Sequence, residues 1–258
     1  MRPALHVIAG LAYVFLFMPI ISLVIVSFNS ASLTSLPIAG VSLRWYEAFW
    51  ENRAAWHALG TSFTVAIVAA IFATILGLFA AYALVRLSFP AKRLLQSIII
   101  VPIIIPHLVF GIDLLLFFKS IGISPSGLTV CIAHVVLAFP FAVMLISTSL
   151  SGFNPTLEEA AKDLGANERR TFFRVTLPLI APGVISAALV SFTISFDEFV
   201  VTFFVSGKGV VTLPLFLYSE LRFSVTPEIN AISTVVLAIS LVVIGATQWT
   251  QSRLKAKA

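Results

Sequence analysis

Six long, uninterrupted apolar runs constrain this chain more than any other feature. They lie at about 8–28, 61–85, 95–118, 128–150, 179–205 and 229–249 of its 258 residues. A helix needs roughly 20 apolar residues to cross about 30 Å of hydrocarbon, and each run is long enough. A transmembrane barrel would instead alternate apolar and polar residues over segments of about 10. Composition closes the other routes: 59% of residues are hydrophobic and 10% charged, with a mean hydropathy of +1.07. A soluble domain carries about 25% charged residues, and a disordered chain could not keep this much apolar surface solvated. The expected fold is an all-α membrane protein of six transmembrane helices forming one domain over 1–258. The first run is longer than the 7–15 apolar residues of a leader and no clear small-residue cleavage site follows it, so it reads as a span.

The basic residues set the expected orientation. With both termini cytoplasmic, the inner segments hold Arg2, Arg86, Lys92, Arg93, Lys162, Arg169, Arg170, Arg174, Arg253, Lys255 and Lys257, eleven of the 16 Lys and Arg. That bias obeys the positive-inside rule. It also explains the pI of about 9.7 without nucleic acid as a partner; the lipid bilayer is the partner this charge pattern implies. The single cysteine, Cys131, excludes an internal disulfide. Between the first two spans, Trp45, Tyr46, Phe49, Trp50 and Trp56 recur at helical spacing. They suit an amphipathic helix, either at the outer interface or packed on the bundle. Tyr82 and Trp249 suit the inner aromatic belt.

The most informative loop, 154–178, separates spans four and five. Asn154 or Thr156 can cap a helix, Pro155 suits a first turn, and Thr156 with Glu159 has capping-box spacing. Leu157, Ala160, Ala161 and Leu164 share one face, with Glu158, Glu159, Lys162 and Asp163 opposite. Gly165 is placed to stop this helix. A second short helix is expected from Asn167 through Arg169, Arg170 and Phe173 to a break at Pro178. A solvated loop would not offer water a small apolar face.

Glu159-Ala160-Ala161, three residues, Gly165, nine residues and then Val175-x-Leu177-Pro178 resembles the EAA motif of inner-membrane permeases of ATP-binding-cassette importers. Only Val175 departs from it, where Ile is commoner. The resemblance implies the type I importer permease architecture and a bacterial inner-membrane location. It also implies a coupling helix that docks on an ATPase, with Glu159, Ala160, Ala161, Asp163, Gly165, Leu177 and Pro178 at that contact. The implied partners are an ATPase dimer carrying ATP and Mg, a second permease that is expected to be a different chain, and a periplasmic substrate-binding protein. This chain has no G-x-x-x-x-G-K-[ST], no H-E-x-x-H and no cysteine-rich metal spacing. It is expected to be non-catalytic, with no metal or cofactor of its own.

Acids inside a membrane are costly and mark function by default. Asp113 lies in span three and Asp197-Glu198 in span five. Asp113 is 20 residues past Arg93 and Asp197 is 20 past Leu177, about 30 Å along a straight helix, which puts both in the outer leaflet. The membrane and outer segments hold seven acids against five bases, a mildly negative mouth for a cation. Phe196, Phe199, Phe203 and Tyr218 could add cation–π faces, although core or lipid packing accounts for most of the 23 Phe. The candidate substrate path is therefore Asp113, Asp197, Glu198, Phe196, Phe199 and Tyr218. Pro102 and Pro106 are expected to bend span three, with His107 beside them bonding to backbone; His134 and Cys131 read as core.

The stretch Asp197–Gly207 and the run Thr226-Pro227-Glu228-Ile229-Asn230-Ala231 are similar to spermidine/putrescine-type permeases, which implies a polyamine cargo. Permeases for other amines and aminophosphonates share these features. A proton-coupled carrier using Asp113 or Asp197 and a structural scaffold are the readings from other classes. Neither accounts for the loop at 154–178.

Overall fold

The computed structural model describes the backbone of residues 2–31, 38–223 and 226–255, and the side chains of 6, 8–31, 38–222, 226–242 and 245. Its elements are α1 (Arg2–Ser27), α2 (Arg44–Glu51), α3 (Arg53–Arg86), α4 (Lys92–Ile104), α5 (His107–Ser120), α6 (Gly127–Gly152), α7 (Thr156–Asp163), α8 (Glu168–Thr171), a π turn (Phe172–Thr176), α9 (Leu177–Phe196), α10 (Val200–Val205), α11 (Leu213–Phe223) and α12 (Pro227–Lys255). Among the described residues there is no strand, only an isolated bridge between Asn29 and Val41. Among the described residues, four helical stretches are long and apolar enough to span a membrane: Ile8–Ser27, Arg53–Arg86, Gly127–Gly152 and Glu168–Phe196. The pair α4 and α5 makes a fifth, and α12 contributes the apolar stretch Pro227–Val242. The side chains of Arg2, Trp249, Arg253, Lys255 and Lys257, which bear on the termini and the inner belt, lie outside the described residues.

Two of the expected spans differ from the structure. The expected bend of span three is present and sharp: α4 and α5 meet at 109° around Ile105 and Pro106. Pro106 has no N–H and disfavours helix at Ile105, which is extended (φ −72°, ψ 130°). The straight-helix depth assigned to Asp113 therefore does not hold. Span five ends at Phe196 rather than 205, and a separate short helix, α10, follows after Asp197, Glu198 and Phe199. The expected break at Pro178 is absent as well. Helix runs unbroken from Glu168 to Phe196, because the π turn before α9 widens the backbone where the Pro178 ring would meet the Arg174 carbonyl.

The chain divides into two compact units, 1–58 with 216–241, and 59–215 with 242–258. In the first, α1 is exposed all round from 8 to 21. Tyr46 bonds Ser27 at 2.7 Å, Trp45 Nε1 donates to the Asn29 carbonyl at 2.8 Å, and Asn52 Nδ2 donates to Glu228 at 2.9 Å. The aromatic segment is not one helix: Asn52 ends α2, and its Oδ1 accepts from Ala55 N at 3.0 Å to cap α3. Trp56 thus belongs to α3 and stacks on Phe49.

In the second unit α6 is the axis. One core cluster gathers Leu84, Ile99, Ile146, Leu150 and Ile180 from α3, α4, α6 and α9. Another gathers Val65, Phe110, Val130, Leu137 and Val201 from α3, α5, α6 and α10. In lipid there is no hydrophobic drive between helices, so close backbone approach over small residues has to supply the packing. Gly77 shows it: a Cβ there would sit 2.7 Å from that of Ala142 on α6.

Candidate functional site

Two regions of the second unit carry the chemistry. The first is the segment around α7. Asn154 Oδ1 accepts from Thr156 N at 3.0 Å and from the Thr156 hydroxyl at 2.7 Å, so Asn154 is the cap. This occupies Thr156, and the Thr156–Glu159 capping box does not form. The other end closes as expected. Gly165 has φ +87°, Gly165 N donates to the Lys162 carbonyl at 2.8 Å, and Ala166 N donates to that of Ala161 at 3.0 Å. This is the Schellman pairing, which favours glycine at that position. Asn167 caps α8 through Arg170 N at 2.9 Å. Lys162 Nζ donates to Glu168 at 2.7 Å, and this hydrogen bond holds its ammonium above the ordinary lysine range.

Leu157, Glu159, Ala160, Asp163, Gly165 and Pro178 are exposed, while Ala161 and Leu177 are half-buried. Leu164 is 89% exposed. An eight-residue helix thus shows solvent Leu157, Ala160 and Leu164 with acids around them. Glu158 is not on the charged outer face. It turns inward, 8% exposed, with Oε2 3.0 Å from Arg86 Nε and Oε1 accepting from the Thr176 hydroxyl at 2.7 Å.

The second region lies where span three and span five are both broken. Glu198 is 6% exposed. Its Oε2 pairs with His107 Nδ1 at 3.0 Å and its Oε1 accepts from Val201 N at 2.9 Å. His107 therefore bonds a carboxylate, not backbone. His134, on α6, bridges the break in span five: Nδ1 meets the Ser195 hydroxyl at 2.7 Å and Nε2 meets the Thr202 hydroxyl at 2.8 Å. The Thr202 hydroxyl uses its one proton on the Glu198 carbonyl oxygen at 3.0 Å. It must then accept from His134 Nε2–H, which leaves Nδ1 to accept from Ser195. His134 is core, as read from the sequence, but it works there as a polar clamp.

The remaining candidates separate. Asp113 and Asp197 are exposed, Phe199 is half-buried and Phe203 exposed. Phe196 is 3% exposed, with its ring against Phe63 and Phe192, so it sits in the core and not on an accessible surface. Tyr218 belongs to the other unit and is exposed. Sequence alone does not single out Arg86, Thr176, Ser195 or Thr202: Arg86 bears only on orientation, and the three hydroxyls carry no signal of their own inside apolar or mixed runs.

Residues 73–257 match the family described as binding-protein-dependent transport system inner membrane component. The chain is similar to the putrescine transport system permease protein PotI of Escherichia coli K12, 39% identical over 250 residues covering 94% of this chain and 88% of that one. It is also similar to the spermidine/putrescine transport system permease protein PotC of the same strain, 36% identical over 236 residues, 92% and 89% of the two chains. Among solved structures, a bacterial ABC transporter importing alginate aligns with TM-score 0.76 at 14% identity, covering 97% of this chain and 95% of that one. The MetNI methionine transporter aligns at 0.63 and 16%, covering 80% and 95%.

Proposed function

The chain belongs to the family of binding-protein-dependent transport system inner membrane components, and we propose that it is the permease subunit of an ATP-binding-cassette importer carrying a polyamine such as putrescine or spermidine into the cytoplasm. The observation that carries the reading is the segment around α7. A short helix, capped at both ends, holds Leu157, Ala160 and Leu164 in solvent, a face suited to a protein groove. Similarity to PotI and PotC over more than nine-tenths of the chain supports the cargo, as does the presence of exposed Asp113 in α5 and exposed Asp197 at the end of α9.

In this reading the chain has six spans and cytoplasmic termini. An ATPase dimer binding ATP and Mg docks on Glu159, Ala160, Ala161, Asp163 and Gly165, with Leu177 and Pro178 at the edge of the contact. A second permease completes the path, and a periplasmic binding protein delivers the cation to the outer face. Closure of the ATPase dimer displaces α7, and the spans move as rigid bodies between outward and inward openings. Asp113, Asp197 and Glu198 supply negative charge along the route, with Phe199 as an aromatic face. Energy comes from the partner ATPase.

The test is gentle-detergent purification of the tagged chain from its own membranes, with partners identified by mass spectrometry. Recovery of an ATPase and a second permease is expected. Recovery of neither would overturn the reading.

A further inference from the structure

Glu158 precedes the EAA residues and faces away from the surface they present. A helix of eight residues has little stability of its own, so α7 keeps its place only through what it touches. Glu158 is its one buried side chain, while the Lys162–Glu168 bond and the Gly165 stop hold its far end independently. Glu158 reaches Arg86, the last residue of α3, at 3.0 Å and Thr176, the last residue of the π turn leading into α9, at 2.7 Å. The Arg86 guanidinium also lies 4.6 Å over the ring of Phe153, the residue that ends α6. The ends of three long helices therefore meet at one buried ion pair. An ion pair in such a site resists separation, because parting it leaves an uncompensated buried charge. The π turn beside it has wider, weaker backbone geometry, of the kind found at functional sites in helices.

We infer that the Arg86–Glu158–Thr176 cluster is the mechanical link of the coupling segment, tying α7 to α3 and α9 so that displacement of α7 is passed into the spans. Arg86 and Glu158 are positioning residues: they face away from the surface that α7 presents for docking and act through α7. The inference rests on the coupling role proposed for α7. It predicts a separation of functions: the docking face stays intact when the link is cut, so ATP hydrolysis continues while transport fails.

The experiment uses the assembled complex, purified with its ATPase, second permease and binding protein and reconstituted in proteoliposomes. Glu158→Gln keeps an acceptor for Thr176 and removes the charge; Arg86→Gln removes the other half. Both are expected to retain the ATPase and to hydrolyse ATP at near the parental rate, while labelled putrescine moved per ATP falls about tenfold, a loss typical of a coupled pair. The charge swap Arg86→Glu with Glu158→Arg is expected to recover at least part of that loss. Should the swap fail to fold, the two single variants decide. Unchanged putrescine per ATP in both singles would overturn the inference. So would parallel loss of ATPase binding and transport, which would make the cluster a structural anchor only. A parental complex that holds no ATPase would overturn the functional reading, and this inference with it.

Discussion

Replacing His134 with alanine tests whether the break in span five is a built structure or a frayed helix end. The ring is 1% exposed and bonds Ser195 at 2.7 Å and Thr202 at 2.8 Å, on either side of the break. Side-chain hydrogen bonds between membrane helices average about 0.6 kcal/mol, so the two bonds supply roughly 1 kcal/mol. The larger effects come from what is left behind. The Ser195 hydroxyl, 4% exposed, loses the acceptor it donates to, at about 1–3 kcal/mol. The emptied ring volume costs about 1–2 kcal/mol more, at the lower end of large-to-small core changes. Together these give roughly 3–6 kcal/mol. For a chain of this size that corresponds to a fall in Tm of about 6–24 °C, measured by fluorescence in detergent or nanodiscs. Ser195→Ala, which removes one bond and leaves Nδ1 unpaired, should cost less than half as much. His134→Phe with Ser195→Ala should recover much of the loss, because an apolar pair of similar shape leaves fewer groups unsatisfied. A His134→Ala Tm within about 2 °C of the parent would refute the clamp.

Other outcomes follow from the same geometry. Gly165→Val should release the ATPase in co-purification while the chain still inserts, because φ is +87° and a β-branched residue is strained there; Gly165→Asn, which tolerates that region, should bind nearly normally. Gly77→Leu should block assembly, monitored by size-exclusion chromatography, since even its Cβ would press on Ala142 at 2.7 Å. Asp197→Asn should leave Tm unchanged, because the side chain is exposed, and raise the KM for putrescine about tenfold if the carboxylate meets the cation. The Lys162–Glu168 bond should contribute nothing pH-dependent near neutrality. The raised lysine pKa makes its contribution complete below the usual 10.5 and lost only above it, so any Tm difference between Lys162→Ala and the parent should be small and constant across the neutral range.

The long apolar helices were legible because their signal is continuous, and the coupling segment because caps and glycine stops are local chemistry. Gly165 closes α7 as its position required. Proline is a less regular punctuation: Pro106 marks a 109° corner, which the sequence shows only as a bend, while Pro178 marks no break because the adjacent π turn absorbs it. The corner also invalidated the depth arithmetic for Asp113. The end of α9 was hidden because Asp197 and Glu198 sit in an apolar run with neither proline nor glycine. The inward turn of Glu158 was hidden because periodicity ranks residues by polarity, and a buried ion pair inverts that ranking once Arg86 and Thr176 stand opposite. His134 looked like core from its neighbours, and only the fold brings Ser195 and Thr202 to its two nitrogens.

The most direct measurement of the account's central claim is uptake of labelled putrescine by proteoliposomes holding the complete complex, with ATP, binding protein and proton gradient varied independently. Uptake that requires both ATP and the binding protein, and that persists when the proton gradient is collapsed, is the predicted result. Uptake by this chain alone that follows the proton gradient without ATP would contradict it.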